Sequence, residues 1–373
     1  MRGGLGLTRA ATAPIMAAME PLVHIDGSYG EGGGQILRTS LTLSALLQIP
    51  FEAHSIRAGR KNPGLMAQHL TSVRATAKAS QARVDGDQFR STKLRFEPHG
   101  VVSGRYGFDV ALERGSAGSV GLIFQTIVPV LLYGDSLSEV EIEGGTHVPF
   151  SPPYHYIAEV FVPTLKKMGV HVKASIDRWG FYPLGGGKIV VNVEPAPEVL
   201  PLWVSERGSL RRVSGISAVA NLPASIAERQ RERAMSRLRE RGVQGDIGIV
   251  NAPSPGAGSF LFLLAEYEHA VSGFSSLGAR GKPAERVADE AVEEFLVHNE
   301  RNAVFDKHLA DQLIVYCALA NGESRFTTSE VSNHLLTNKW VVEQFLPAKI
   351  SVNGTLGQWG EIQIFGGKHG EKV

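Results

Sequence analysis

A chain of 373 residues, 43% hydrophobic and 20% charged, is long enough for two or three compact domains of ordinary globular composition, and no apolar run reaches the ~20 residues of a membrane helix. With 38 Lys and Arg against 37 Asp and Glu the formal net charge is +1, so a polyanion would have to be met by a local basic cluster rather than by the whole field. The single cysteine, Cys317, excludes a disulfide framework and a Cys-rich zinc site within one chain and suits a reducing, cytoplasmic compartment.

Residues 1–20 hold Arg2 and Arg9, many Gly, Ala and Thr, and further methionines at 16 and 19. They read as a disordered or mis-started N-terminal extension rather than a targeting peptide, because neither an apolar h-region nor an amphipathic run is present.

From Leu22 a strand-like run leads into Asp26-Gly27-Ser28-Tyr29-Gly30-Glu31-Gly32-Gly33-Gly34-Gln35-Ile36-Leu37-Arg38. Glycines let backbone N–H groups approach an anion, and the start of the following helix favours negative charge. Neither the Walker A nor the GxGxxG spacing is matched, and a purely structural turn is the alternative. Next comes Ser55-Ile56-Arg57-Ala58-Gly59-Arg60-Lys61-Asn62-Pro63-Gly64, with three cations in a strand-to-helix loop. Arginine forks suit phosphates, although a solvated loop is the competing reading. A helix is expected over residues 65–78, where Leu65, Leu70, Val73 and Ala77 share one face.

Gly115-Ser116-Ala117-Gly118-Ser119 opens a second apolar helix, in which Gln125 is an isolated polar residue that meets a ligand or a neighbouring backbone group. Arg178-Trp179-Gly180-Phe181-Tyr182-Pro183-Leu184-Gly185-Gly186-Gly187 is a tight loop between strands, suited to close backbone packing or to ligand contact.

Residues 205–281 break the rhythm with a strand over 213–220, a charged helix over 226–241 and a strand over 260–267. They read as an inserted small α/β domain, and the alternating charges of its helix as a solvated face. Finally, Asp306-Lys307-His308-Leu309-Ala310-Asp311-Gln312 starts a helix. Asp306 suits its N-cap, and His308, Asp311 and Gln312 lie off its apolar side. Near a helix N-terminus the imidazole tends to stay neutral and nucleophilic, although a capping or surface histidine is the plainer reading.

On either side of the insert, three stretches repeat a turn-helix-strand, helix-strand-strand pattern. The fold expected is therefore α+β, built from three β-α-β-α-β-β units with helices on one sheet face. The boundaries are residues 21–204 for two units, 205–281 for the insert and 282–373 for the third.

Taken in order, these five motifs resemble the RNA 3'-terminal phosphate cyclases over about residues 21–370. The resemblance implies three repeats like the C-terminal domain of translation initiation factor 3. It also implies ATP as co-substrate, a divalent cation (Mg²⁺ or Mn²⁺) and RNA with a 3'-phosphate end as partner. The reaction it implies converts that phosphate to a 2',3'-cyclic phosphodiester through histidyl-AMP and RNA(3')pp(5')A. Carried over residue by residue, His308 is the nucleophile and Glu31 the metal ligand. Arg38, Arg57, Arg60 and Lys61 meet phosphates. Gln125, Pro152, Asp311, Gln312 and the stretch Pro283-Ala284-Glu285-Arg286-Val287 bind ATP. No membrane is involved; a homodimer is compatible with the resemblance and not decided by the sequence. Two rivals are a cyclase-like, non-catalytic protein of ribosome assembly and an enolpyruvyl transferase of related architecture.

Overall fold

A computed structural model describes residues 22–110 and 117–367. The extension expected over 1–20, and Gly115 and Ser116 of the second glycine turn, lie outside the described residues.

The first layer runs β1 (Val23–Asp26), α1 (Gly34–Leu47), β2 (Phe51–His54), α2 (Ala67–Ser80), β3 (Arg83–Asp85) and β4 (Leu94–Glu97). Its sheet order is β1-β2-β4-β3, with β1 and β2 parallel and the other pairs antiparallel. A parallel pair needs a crossover, and α1 supplies it. Phe51 and Ala53 turn inward while Glu52 and His54 do not, the alternation of a half-buried strand. Helix α2 begins two residues later than the periodicity suggests, because the His69 ring takes the Met66 N–H (3.2 Å) and makes Met66 the N-cap.

The second layer repeats that connectivity. It runs β5 (Arg105–Asp109), α3 (Val120–Leu131), β6 (Ser138–Gly144), α4 (Tyr154–Tyr156), a π-helical turn (Ile157–Phe161), α5 (Val162–Lys167), β7 (Val172–Arg178) and β8 (Gly187–Val193). The order is β5-β6-β8-β7 with the same strand directions. The aromatic-to-glycine loop before β8 serves close packing. A Cβ on Gly180 would lie 2.4 Å from the Gly144 carbonyl oxygen and 2.5 Å from the Gly187 nitrogen.

An inserted layer follows: β9 (Leu210–Ala220), α6 (Ala224–Glu240), β10 (Gly245–Asn251), β11 (Gly258–Tyr267), β12 (Val271–Leu277) and α7 (Ala284–Glu300), in the order β10-β9-β11-β12. It has its own core, in which Val287, Val292 and Phe295 of α7 join Leu238, Leu261 and Phe274. Helix α7 thus packs with this sheet, beyond the Gly281 boundary drawn from sequence. The charged helix is not a free solvated face either: Arg229, Arg233 and Arg237 pair with Glu285, Asp289 and Glu293 of α7 at 2.8–2.9 Å.

The last layer comprises α8 (Lys307–Leu319), β13 (Gly322–Thr328), α9 (Asn333–Phe345), β14 (Lys349–Gly354) and β15 (Gly360–Gly366), ordered β13-β15-β14. The strand that would open it is reduced to one parallel bridge, Phe305 to Thr328.

The helices of the three outer layers meet in the middle. Helix α1 packs on α2, α3 and α9, and α8 on α9. Helix α3 is apolar nearly all round, as a helix enclosed by others must be. Buried polar bonds tie these helices together: Thr42 Oγ1 donates to the Thr126 carbonyl (2.8 Å), Thr39 Oγ1 to Asn338 Oδ1 (2.7 Å), and Asn338 Nδ2 to the Asp311 carbonyl (2.9 Å).

Candidate active site

Where the outer layers and the insert converge, a cleft of about 680 Å³ opens, within the size range of small-ligand sites. Its first wall is the glycine turn. Gly30 and Gly32 adopt left-handed φ of 55°, which only glycine takes without strain. A Cβ on Gly33 would come within 2.6 Å of Glu31 Oε1 and 2.7 Å of Arg60 Nη2, and one on Gly34 within 2.3 Å of His69 Nε2. The glycines are there to let charged side chains lie against the backbone. Gly33 is the N-cap of α1 and offers no side-chain acceptor, so the first N–H groups of that helix remain available to an anion.

Glu31 is the hub. It pairs with Arg60 (3.2 Å) and with His334 Nδ1 (3.0 Å), and His334 Nδ1 also meets Gln35 Oε1. Burial alone would raise the Glu31 carboxyl, but the hydrogen bond and charge of His334, with Arg60 and Arg38, bring it below its ordinary value. The bond to Glu31 in turn raises His334. Burial lowers Arg38 to about 10, and lowers Arg57 as well, with Arg60 adding to the effect. Arg57 Nη1 donates to the Asn62 and Gly64 carbonyls (2.7 and 2.8 Å), so it also shapes its own loop. His69 lies beside them, its pKa pressed well down by burial and by Arg57 and Arg38.

The opposite wall comes from α8. Asp306 is its N-cap, accepting from the His308 and Leu309 N–H groups (both 3.0 Å). It also accepts from Tyr156 Oη (2.7 Å) and from the Gly273 N–H (3.3 Å), which ties α4, the insert and α8 together. His308 opens to solvent through the cleft, although protein surrounds it on the sides. Burial lowers its pKa, and Lys307 and His334 push the same way against the carboxylates of Asp306 and Glu294. Asp311 is buried, and its carboxyl is pushed up to about 7. Gln312 Oε1 is buried with no hydrogen-bond partner.

Of the residues expected from sequence, Glu31, Arg38, Arg57, Arg60, Gln125, Pro152, His308, Asp311 and Gln312 line this one cleft. Lys61 is exposed and outside the lining. Pro283, Ala284, Glu285, Arg286 and Val287 also lie outside it. They form the start of α7: Ala284 is buried, Val287 is in the insert's core, Glu285 pairs with Arg229, and Arg286 with Glu290. Sequence reasoning missed His69, Glu294, His334 and Asn338 in the lining. The available signal was Ser332-Asn333-His334-Leu335-Leu336-Thr337-Asn338, with His and Asn one turn apart on a helix start.

Among the described residues no three His, Cys, Asp or Glu side chains gather as a metal cage, and no helix is long and apolar enough to cross a membrane.

A model of the RNA 3'-terminal phosphate cyclase family matches residues 29–352. The RNA 3'-terminal phosphate cyclase of Methylococcus capsulatus is 44% identical over 355 residues, covering 94% of this chain and 98% of the relative. That of Pyrobaculum aerophilum is 42% identical over 340 residues, 90% and 96%, and that of Pyrococcus furiosus 40% over 343 residues, 92% and 98%. Residues 29–352 span the glycine turn, the arginine loop and the three cleft histidines, His69, His308 and His334, so the chain belongs to the RNA 3'-terminal phosphate cyclase family.

Proposed function

We propose that this cleft carries out ATP-dependent cyclisation of RNA 3'-phosphate ends, through an enzyme-bound histidyl-AMP and an RNA(3')pp(5')A intermediate. The observation that carries the reading is that one cleft gathers Arg38, Arg57, Arg60 and Glu31 with His308 at a capped helix start. Arginines at an uncapped helix start suit a polyphosphate. An imidazole nitrogen attacks the α-phosphorus of ATP and pyrophosphate leaves. The RNA 3'-phosphate then takes AMP from the histidine. Last, the 2'-OH attacks the 3'-phosphorus, closing the ring and expelling AMP while its proton goes to solvent or a nearby base. Ring closure is intramolecular, so little entropy opposes it.

His69, His308 and His334 all line the cleft. Burial lowers the His308 pKa, so its ring keeps the free lone pair that attack on phosphorus needs. Asp306 caps the start of its helix, and His308 faces the cleft. His334 is held on Glu31 through Nδ1, and that bond raises its pKa and favours the imidazolium, which has no lone pair to offer. We therefore assign the AMP to His308, with Asp311 and Gln312 as nucleotide contacts, and place His334 with Glu31 and the arginines along the phosphates.

Glu31 fits a hard cation that brings its remaining oxygens as phosphate and water, and such an ion would neutralise triphosphate charge. The experiment is α-labelled ATP with wild type, His334→Ala and His308→Ala. Wild type becomes labelled and His308→Ala does not, while His334→Ala labels more weakly. Labelling of His308→Ala at the wild-type level, with loss in His334→Ala, would move the nucleophile to His334. A folded wild type that never labels removes the ATP step and favours the non-catalytic rival.

A further inference from the structure

We propose that Phe150 is a stacking platform for the 3'-terminal nucleobase of the RNA, an inference that rests on the cyclase reading above. Phe150 lies in the loop between β6 and α4, at the lip of the cleft. Its side chain is 102% exposed, more than any other large apolar residue among those described. Its φ is +61°, a region that bulky residues rarely occupy. Both features are unfavourable in the free protein, and such backbone strain tends to persist at ligand clamps.

The loop does not place the ring there by slackness. The Tyr154 N–H donates to the Thr146 carbonyl (3.0 Å), and Ser151 Oγ donates to the Val148 carbonyl (3.0 Å). Pro149, Pro152 and Pro153 stiffen the segment further. Across the glycine turn, the exposed Tyr29 ring is stacked on Trp340 at 4.0 Å, whereas no ring faces Phe150 among the described residues.

The occupant follows from place and charge. Arginines inside the cleft draw phosphate inward, and an enclosed cleft takes the small nucleotide. A ring standing outside that enclosure meets the part of a ligand that projects from it. For an RNA whose terminal phosphate lies inside, that part is the terminal base and the chain behind it. Stacking on an open aromatic face accepts every base, which suits an enzyme acting on ends rather than on sequences.

The test is steady-state cyclisation of 3'-phosphorylated RNA carrying either a terminal base or an abasic terminal ribose. Phe150→Ala raises the KM for base-bearing RNA by roughly 5- to 150-fold and leaves the KM for ATP where it was. Phe150→Gly, which suits the left-handed backbone, does the same; Phe150→Trp restores the KM and Phe150→Leu does not. On abasic RNA wild type already shows the raised KM, and Phe150→Ala adds nothing. An equal penalty on abasic RNA, or a rise in the KM for ATP instead, overturns the platform. A folded wild type that cyclises no 3'-phosphorylated RNA overturns the cyclase reading itself, a separate and recognisable result.

Discussion

Asp311→Asn should make the protein more stable than wild type, and increasingly so between about pH 4 and pH 7. Asp311 is buried on α8, and burial pushes its carboxyl from 3.8 to about 7, with Asp306 and Glu31 adding to the rise and His334 and Arg38 opposing it. A raised acid favours the folded state only while protonated. Its contribution is complete below the unfolded pKa and is lost as pH climbs to the folded one. At about 1.4 kcal/mol per unit, a rise from 3.8 to about 7 sets a ceiling of about 4 kcal/mol. Asparagine keeps the shape and carries no proton to lose. Denaturant unfolding of both proteins across pH 4 to 8 isolates Asp311 with the groups coupled to it, because groups remote from it cancel in the difference. The variant's advantage should be near zero at the acid end, exceed about 1 kcal/mol by pH 7, and flatten above that. Parallel pH profiles for the two proteins would refute the reasoning.

Asp306→Ala should cost about 3–5 kcal/mol by chemical denaturation, from a lost N-cap and two buried donors, Tyr156 Oη and the Gly273 N–H, left without an acceptor. Asp306→Asn keeps the Oδ1 bonds and should cost only about 1 kcal/mol. Gly33→Ala meets the far ends of the Glu31 and Arg60 side chains, so circular dichroism should report a folded protein whose adenylation is impaired. Gly180→Ala meets backbone and should yield no folded protein. Arg237→Ala breaks bonds to both Asp289 and Glu293 (3.1 and 2.9 Å) at a side chain 20% exposed, and should cost about 1 kcal/mol. Arg241→Ala, at 57% exposure, should cost less than about 0.5 kcal/mol. Both losses should shrink in high salt.

Much of the cleft was legible in the sequence because local chemistry marks it. A glycine run between strand and helix, three cations in a loop and an Asp before a helix each carry their meaning within a few residues. The Asp306 cap stands where the sequence places it. Other features were not local. His334 lies 303 positions after Glu31 in the chain, and only the packing of α9 on α1 brings its ring to that carboxylate. The stretch 283–287 matched by register alone, and the direction in which α7 turns its face decided that it joins the insert's core. The acids on α7 that answer the arginines of α6 are spaced by helical period, but nothing in either helix names the other as partner.

The glycine turn shows the division most clearly. The sequence by itself determined that residues 30–34 could bend sharply and present backbone N–H groups, because glycine alone lacks the Cβ that forbids it. Only the tertiary structure decided what fills the space those missing side chains leave: Glu31 and Arg60 against Gly33, His69 against Gly34, and His334 from the far end of the chain closing on Glu31. The reason is physical. Backbone freedom belongs to a residue, whereas the charge placed beside it belongs to whichever helices pack there.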